Sequence, residues 1–143
     1  MMQKVSQFRI ALYGVFVADG KVLMTETQVP SGSIMNFPGG GLELGEAPLD
    51  AIHREFQEET GLEIKVQKLL FCSERFQQNP EYPHEQLMHI YFEVISSSRV
   101  STLSGNGDDV VSLRWVPFAE LSSLRILPVD QEFINHPSFT SLF

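Results

Sequence analysis

The residues of this sequence that are best suited to chemistry are three glutamates in the stretch HREFQEETGLE, His53–Glu63. In a helix, Glu55 and Glu59 lie one turn apart on one face, with Glu58 beside them. Like charges at this spacing cost an isolated helix roughly 0.2–0.5 kcal/mol per pair. A bound cation would offset that cost, and carboxylate oxygens are hard ligands of the kind that suit Mg²⁺ and Mn²⁺. The cluster therefore predicts a divalent-metal site.

The helix that carries these glutamates is predicted over Pro48–Thr60, with Gly61 as its left-handed C-terminal residue. Its apolar residues Leu49, Ile52 and Phe56 share one face, and the acidic cluster lies next to that face rather than opposite it. Partly desolvated carboxylates are costly unless a cation holds them together. The alternative is an amphipathic helix with a solvated acidic side, which explains the helix alone equally well.

A glycine turn just before the helix favours the metal interpretation. Pro38 is followed by three glycines, and glycine permits backbone conformations and close approaches that other residues do not. Glu43 and Glu46 follow the turn and bring further carboxylates towards the start of the helix. Arg54 lies one turn before Glu58, so it can orient or partly neutralise a carboxylate without occupying the metal position. Taken alone, three glycines are more often only a turn, so this interpretation depends on the turn and the helix together.

The charge and composition of the chain limit its partners. The formal net charge is −8, which disfavours a nucleic-acid polymer and means that an anionic small molecule needs a cation to approach the acidic cluster. No apolar run approaches the roughly 18–20 residues of a membrane span, and the N-terminus lacks the features of a secretory signal. Cys72 is the only cysteine, so we expect a reducing, cytoplasmic location and a cysteine packed in the core.

The length of the chain predicts a single domain over residues 1–143. Two β-rich runs, Phe8–Val17 and Lys21–Thr25, flank the dipeptide Asp19-Gly20, which is a strong hairpin signal. The later apolar runs and turn signals predict strands over residues 64–76, 86–95 and 110–118, loops over 29–33, 77–85 and 96–109, and short helices over 118–124 and 129–136. This irregular alternation predicts a mixed sheet with helices packed on it.

The glycine turn and the acidic helix together resemble the Nudix (MutT-like) box at every defined position. The matching positions are Gly40, Glu46 after five intervening residues, and Arg54–Leu62 after seven more. Seven residue-specific positions at fixed spacing coincide by chance on the order of once in 10⁸ windows. The flanking hairpin and the later LRWVPFAEL also look like the family. One departure is Ala47, where relatives often place a helix-capping Ser or Thr, at a cost of ~1 kcal/mol.

The resemblance implies an α/β fold, namely an α/β/α sandwich with a mixed β-sheet. It also implies a Nudix hydrolase that acts on phosphoanhydride bonds and requires Mg²⁺ or Mn²⁺. Arg54 and Glu46 would form a buried pair that fixes the loop against the helix, as support for catalysis rather than direct chemistry. Carried over position by position, the implied metal ligands are the main-chain carbonyl of Gly40 and the carboxylates of Glu55, Glu58 and Glu59.

The expected reaction is attack of water on a diphosphate whose charge is offset by metal ions, with a carboxylate as the base. Glu58 is our first choice for that base. The family also uses acids from later loops, and Asp109, with Asp108 beside it in the stretch GDDVVSL, is the alternative.

The substrate is expected to contact residues outside the box. The segment from Arg75 to His89 is longer than a tight turn requires, and such loops usually carry recognition. We therefore predict a nucleotide-derived small molecule, a nucleoside diphosphate linked to another moiety such as ribose or a sugar. A MutT-type (d)NTP pyrophosphohydrolase and a non-catalytic nucleotide-binding module are the alternatives, and a homodimer is left open. The candidate substrate-binding residues are Arg9, Arg75, Tyr82, His84 and His89.

Overall fold

The structure, a computed structural model, describes residues 3–97 and 110–143 of the chain. None of the helices in these residues is long and apolar enough to cross a membrane. The elements follow in the order β1 (Gln7–Val15), β2 (Val17–Ala18), β3 (Lys21–Val29), β4 (Gly32–Asn36), β5 (Gly39–Gly41), α1 (Pro48–Thr60), β6 (Lys65–Cys72), β7 (Glu85–Ile95), β8 (Val110–Pro117), a 3-10 helix (Phe118–Ser123), α2 (Pro128–Ile134) and α3 (Pro137–Thr140).

Four strands form a mixed sheet in the order β5-β1-β7-β6. Strand β1 pairs in parallel with β7, from Gln7 opposite Glu85 to Val15 opposite Glu93. Strand β5 is antiparallel to β1, and β6 is antiparallel to β7. The sheet therefore has both parallel and antiparallel neighbours, which confirms the predicted mixed sheet.

Helices cover both faces of this mixed sheet. Neighbouring residues of a strand point to opposite faces, and Leu12 of β1 belongs to an apolar cluster with Phe56 of α1. The next residue, Tyr13, belongs to a second cluster with Phe133 of α2 and Phe139 of α3. The arrangement is helix, sheet, helix, so the predicted α/β/α sandwich is confirmed.

Helix α1 has the bounds that the sequence predicts. It ends before Gly61, whose φ of 73° is left-handed and whose N–H donates to the Gln57 carbonyl. Ala47 precedes the helix and makes no side-chain capping hydrogen bond. The helix packs closely on the sheet at Gly14. A Cβ at this position would lie 2.3 Å from Cε2 of Phe56. Leu49, which belongs to the predicted apolar face, is 46% exposed, whereas the buried helix residues are Ala51, Ile52, Phe56 and Glu59.

A second, antiparallel sheet contains β2, β3, β4 and β8. The predicted hairpin at its start is confirmed, because Asp19 and Gly20 both have left-handed φ, 54° and 73°. The predicted single strand Phe8–Val17 is wrong, because the chain leaves the first sheet after Val15 and joins β3 at Val17. The predicted loop over residues 29–33 is also wrong, since Val29 pairs with Gly32 in a β3–β4 hairpin.

Three further differences come from contacts that a local pattern does not contain. The turn glycines Gly39–Gly41 form strand β5 by pairing with β1. Strand β6 ends at Cys72 rather than at residue 76, and Cys72 is exposed, so the expectation of a buried cysteine is wrong. The predicted helix over 118–124 is a 3-10 helix. The one predicted over 129–136 is confirmed as α2, and the sequence did not predict the short helix α3 that follows it.

Candidate active site

A cavity of about 470 Å³ lies beside the glycine strand β5 and the acidic helix α1. We call it the central cavity. Its walls come from both sheets, from α1, and from the loop that precedes β7. The lining residues are Arg9, Tyr13, Thr27, Gln28, Val29, Ile34, Asn36, Gly39, Gly40, Gly41, Glu55, Glu59, Asn79, Glu81, Tyr82, His84, Glu85, Leu87, His89 and Leu127.

The glycines of strand β5 allow the main chain to approach the carboxylates of α1. Gly39 has a φ of 151°, and a Cβ there would lie 2.1 Å from the Leu12 carbonyl oxygen. Its N–H donates to Oε2 of Glu59 at 3.2 Å. A Cβ at Gly40 would lie 2.7 Å from Oε1 of Glu55. Gly39 admits no other residue, and a side chain at Gly40 would meet the Glu55 carboxylate. The consequence is that main-chain groups and carboxylates lie together in the central cavity.

Arg54 connects the loop before α1 to the helix itself. Its guanidinium donates twice to Glu46, from Nε at 2.7 Å and from NH2 at 3.0 Å. NH1 lies 3.0 Å from Oε1 of Glu55 and 3.4 Å from Oε2 of Glu58. The hydrogen bonds that Arg54 donates to Glu46 hold the pKa of Arg54 above its usual value and the pKa of Glu46 below its usual value. This geometry suits the supporting role that the resemblance implies.

The glutamates of α1 differ in exposure. Glu55 and Glu59 line the central cavity, and Glu59 is buried. Glu58 lies outside the lining, and its side chain is 56% exposed. In the part of the chain that the structure describes, no three Asp, Glu, His or Cys side chains are gathered as a bound ion would require. The carboxylates of Glu55 and Glu58 accept hydrogen bonds from Arg54, and the carboxylate of Glu59 accepts one from the N–H of Gly39.

The donor chemistry of the cavity lining nevertheless fits a divalent cation. Two carboxylates one helical turn apart face a backbone that carries no side chains, and oxygen donors of this type suit small hard cations. Glu55, Glu59 and the Gly40 carbonyl would hold the ion, with Glu58 as an outer member of the set. The resemblance to the Nudix box implies a cation of the same kind.

A buried polar group on β1, β7 and α2 adjoins the central cavity. His89 and Asp130 are each 1% exposed, and His89 Nδ1 lies 2.9 Å from Asp130 Oδ1. The Tyr91 hydroxyl donates to the same oxygen at 2.5 Å. Tyr13 packs against His89 with ring centroids 4.8 Å apart. Burial raises the pKa of Tyr13 to about 12, with Arg9 opposing that rise.

Arg9 brings a positive charge to the central cavity. It lines the cavity, and one of its terminal nitrogens lies 3.7 Å from the position of a Cβ on Gly41. Interaction with Tyr13 raises the pKa of the Arg9 guanidinium, and burial opposes this change. Among the described residues that line the cavity, Arg9 is the only lysine or arginine. It therefore supplies the fixed positive charge of the described cavity lining.

Hydrogen bonds at the rim of the central cavity connect the β3–β4 hairpin to the loop before β7. Glu81, in the loop before β7, accepts hydrogen bonds from the Ser31 N–H at 2.9 Å and the Ser31 hydroxyl at 2.8 Å. Arg125 donates to the same hydroxyl and to the Ser33 carbonyl. These bonds attach the β3–β4 hairpin to the loop that carries Tyr82, whose side chain is 46% exposed at the rim.

The structure brings together most, but not all, of the residues selected from the sequence. Arg9, Tyr82, His84 and His89 line the central cavity, whereas Arg75 is exposed and is not part of the lining. Asp109 and its neighbour Asp108 lie outside the described residues. Sequence reasoning missed Tyr13, Glu81 and Asp130. Nothing local marks them, because their partners are distant in sequence, 41 residues for Asp130 and 50 for Glu81.

Known proteins resemble this chain over most of its length. The family model of the NUDIX domain matches residues 7–136. An ADP-ribose pyrophosphatase of Methanocaldococcus jannaschii is 39% identical over 87% of this chain and 69% of that protein. An RNA pyrophosphohydrolase of Bartonella clarridgeiae is 28% identical over 78% of this chain and 77% of that protein.

Solved structures show the same fold. A NUDIX hydrolase from Nitrosomonas europaea superposes with a TM-score of 0.74 at 22% identity, covering 93% of this chain and 88% of that chain. A MutT protein from Methanosarcina mazei Go1 also gives 0.74, at 15% identity and 96% coverage of both chains. Together with the family match over residues 7–136, these observations show that the chain belongs to the Nudix family and is a Nudix hydrolase.

Proposed function

We propose that the protein hydrolyses the diphosphate bond of a nucleoside diphosphate linked to another moiety, with ADP-ribose or a nucleotide sugar as the favoured substrate. Mg²⁺ is the proposed cation, and Mn²⁺ can replace it. One observation carries the proposal: a single cavity connects β5 and the acids of α1 to Arg9 and to the loop that carries Tyr82. Hydrolysis of a pyrophosphate is supported by the names of both relatives, and ADP-ribose by the more similar of the two.

The polar groups of the central cavity can hold an extended anion in one orientation. Arg9 is placed to bind a phosphate oxygen, because its guanidinium lies beside Gly41 at the edge of the glycine strand. Tyr82 and His84 on the rim can hold the remote moiety by stacking and hydrogen bonding. When bound, the divalent cation offsets the charge of the diphosphate and makes its phosphorus easier to attack.

The proposed reaction is a displacement at phosphorus. The oxygen of a water molecule forms a bond to one phosphorus atom, and the bond from that phosphorus to the bridging oxygen breaks. A carboxylate accepts the proton from the water, and the bridging oxygen leaves on the second phosphate. The products are a nucleoside monophosphate and a phosphate ester of the other moiety. Glu58 is the first choice for the base, and Asp109 is the alternative.

Charge argues against a long polyanion as substrate. The formal net charge of −8 repels nucleic acid, and Arg9 is the only lysine or arginine among the described lining residues. A small nucleotide derivative needs few cationic contacts. We also propose a cytoplasmic location, which suits a chain with a single cysteine. The homodimer stays a prediction that light scattering during size-exclusion chromatography tests.

A substrate screen tests the proposed activity. The purified protein is incubated with Mg²⁺ and, separately, ADP-ribose, nucleotide sugars, dinucleoside polyphosphates, (d)NTPs and 5′-triphosphorylated RNA, and products are identified by ³¹P NMR. We expect ADP-ribose or a nucleotide sugar to give two monophosphates. Glu59→Gln should lower kcat by roughly 10²–10⁴-fold, because a buried carboxylate at the glycine strand is lost. Glu63→Gln is the matched control, since Glu63 is exposed just beyond α1.

The outcomes separate the candidate functions. Release of pyrophosphate from (d)NTPs as the fastest reaction would replace the proposal with the MutT-type alternative. Tight nucleotide binding without turnover of any compound would favour the non-catalytic module. Full turnover in excess EDTA, or equal activity of Glu59→Gln and the wild type, would contradict the metal-dependent mechanism.

A further inference from the structure

Two buried polar atoms beside the central cavity have no hydrogen-bond partner within the described residues, namely His89 Nε2 and Asp130 Oδ2. Asp130 Oδ1, in contrast, receives both the Tyr91 hydroxyl and the His89 ring. Leaving a polar group unsatisfied in the protein interior costs about 1–3 kcal/mol. The surroundings are aromatic, since Tyr13 and Tyr91 pack beside the His89 ring, so an apolar side chain would avoid this cost. The polar pair therefore points to a ligand that supplies the missing partner.

His89 is the member of the pair next to the central cavity. It lines the cavity, whereas Asp130 does not. The two nitrogens of an imidazole ring point in different directions, and Nδ1 is directed at Asp130 on α2. Nε2, which is itself buried, consequently faces away from α2. Of the two unpartnered atoms, it is the one that a ligand entering from the central cavity would meet first, with Asp130 behind it.

Asp130 also sets which hydrogen bond Nε2 can make. A carboxylate oxygen 2.9 Å from Nδ1 accepts the proton of that nitrogen, so that in the neutral ring the proton is on Nδ1 and a lone pair is left on Nε2. The Tyr91 hydroxyl, which donates to the same oxygen, holds the carboxylate in place. In its neutral form His89 thus presents a hydrogen-bond acceptor, whose partner carries an N–H or O–H.

The position of His89 in the sheet indicates which part of the substrate it meets. Gly41 pairs with Ala11, and Ala11 pairs with His89, so the three residues form a row across β5, β1 and β7. Two strand spacings place the Cα of His89 about 10 Å from that of Gly41. With the diphosphate held at the glycine strand and Arg9, such a distance reaches past the ribose to the base.

The apolar residues of the cavity lining suit a flat apolar group with a polar edge. Ile34, Leu87 and Leu127 line the cavity together with the ring of Tyr13, and such surfaces pack well against an aromatic ring. We propose that His89, fixed by Asp130, is a specificity-determining residue that accepts a hydrogen bond from the amino group of a nucleobase. This inference rests on the proposed function for the location of the diphosphate. Such a residue favours compounds of adenine or cytosine over compounds in which a keto group replaces the amino group of the base.

Equilibrium binding of nucleoside monophosphates tests this inference without any turnover. Calorimetry on the wild type should show AMP bound more tightly than IMP, and CMP more tightly than UMP, by about 3- to 10-fold, as expected for one hydrogen bond. Equal affinities within each pair would overturn the proposal. Because no hydrolysis is involved, this result is independent of whether ADP-ribose proves to be a substrate.

Two variants of His89 identify the atom responsible. The amide of Asn can replace Nδ1 and keep the bond to Asp130, whereas the amide of Gln can replace Nε2. His89→Asn should therefore lose the preference for amino over keto bases, and His89→Gln should keep part of it. If ADP-ribose is hydrolysed, His89→Asn should raise its KM by about 3- to 10-fold with little change in kcat, since uniform binding is lost. A full preference in His89→Asn, with thermal unfolding like that of the wild type, would contradict the role of Nε2.

Discussion

Gly40 lies directly beside the Glu55 carboxylate of the acidic helix. The position that a Cβ would occupy lies 2.7 Å from Oε1 and 2.9 Å from Cδ of Glu55. Those atoms are the end of a flexible side chain, so a methyl group there would displace the carboxylate rather than the sheet. The absence of a side chain at this position therefore governs where the Glu55 carboxylate lies.

Replacing Gly40 with Ala should damage catalysis more than stability. We expect kcat to fall by roughly 10–100-fold, less than for complete removal of an electrostatic group, while thermal unfolding changes little. Steady-state kinetics and circular dichroism measure the two effects. Gly41→Ala is the matched control, since its Cβ would meet Arg9 at an ordinary 3.7 Å, and its loss of activity should be much smaller. Equal losses in both variants would contradict the argument from Glu55.

The site residues that the sequence predicts are those whose partners are close in the chain. Gly40, Glu46, Arg54, Glu55 and Glu59 all fall within the 23 residues of the box, so one turn and one helix bring them together. The polar group formed by His89 and Asp130 depends on two elements 41 residues apart. A pattern of residue types could suggest His89 as a candidate, but it contained no sign of the carboxylate behind it.

At the scale of elements, the Arg54–Glu46 pair attaches the loop after β5 to α1. Both hydrogen bonds from the guanidinium are short, 2.7 and 3.0 Å, and the side chain of Glu46 is only 15% exposed. The pair restrains the loop next to the glycine strand. The same contact makes the attachment sensitive to acid, because hydrogen bonding from Arg54 lowers the pKa of Glu46.

The free energy of unfolding should therefore decrease in acid partly through Glu46. In the unfolded chain this carboxyl has its ordinary pKa of 4.5, and in the folded chain its pKa is lower. The stabilisation that ionised Glu46 contributes is complete above pH 4.5, and it is lost as the pH falls through the pKa that Glu46 has in the folded chain. Glu46→Gln should be less stable at neutral pH and show a shallower loss of stability in acid, measured by urea unfolding across pH.

The control for this experiment is Glu43→Gln. Glu43 is 71% exposed and lies 3.9 Å from Arg54, so its removal should leave the acid dependence close to that of the wild type. Parallel stability curves for the wild type and Glu46→Gln would show that the pair does not stabilise the folded protein.

Elements with strong local signals could be predicted, and elements that depend on a neighbour could not. Helix α1 has its proline start, its apolar face and its glycine end in one continuous stretch, and the Asp19-Gly20 turn is equally local. Strand β5 consists of three glycines, so only its pairing with β1 makes it a strand. Strand β4 begins at Gly32, two residues after Pro30, in a stretch whose proline and glycine indicate a loop. It forms because β3 is longer than its apolar run.

At the scale of the whole molecule, the net charge of −8 and the acidic residues of the central cavity favour binding of a cation. An ion that binds only the folded state stabilises it by about 2.7 kcal/mol at 100 times its dissociation constant. For a domain of this size, that corresponds to a rise in Tm of roughly 5–10 °C. We expect Mg²⁺ to raise the Tm of the wild type relative to the protein in EDTA.

Variants of the acidic residues show whether this rise comes from the site. Glu55→Gln and Glu59→Gln should lose most of the Mg²⁺-dependent increase in Tm, because both side chains line the central cavity. Glu63→Gln removes the same charge from an exposed position and should retain the increase. An identical rise in all three variants would indicate binding to the general negative charge of the surface.

The parallel pairing of β1 with β7 has a consequence for how the protein folds. Gln7 and Glu85, which begin the paired stretch, are 78 residues apart in the chain, and closing so long a loop costs conformational entropy before any contact repays it. Helix α1 lies within that loop and is synthesised before β7. A nascent chain therefore contains the acidic residues of α1 well before the sheet that positions them can form. Hydrolytic competence must wait until the last residues of β7 leave the ribosome and pair with the first strand.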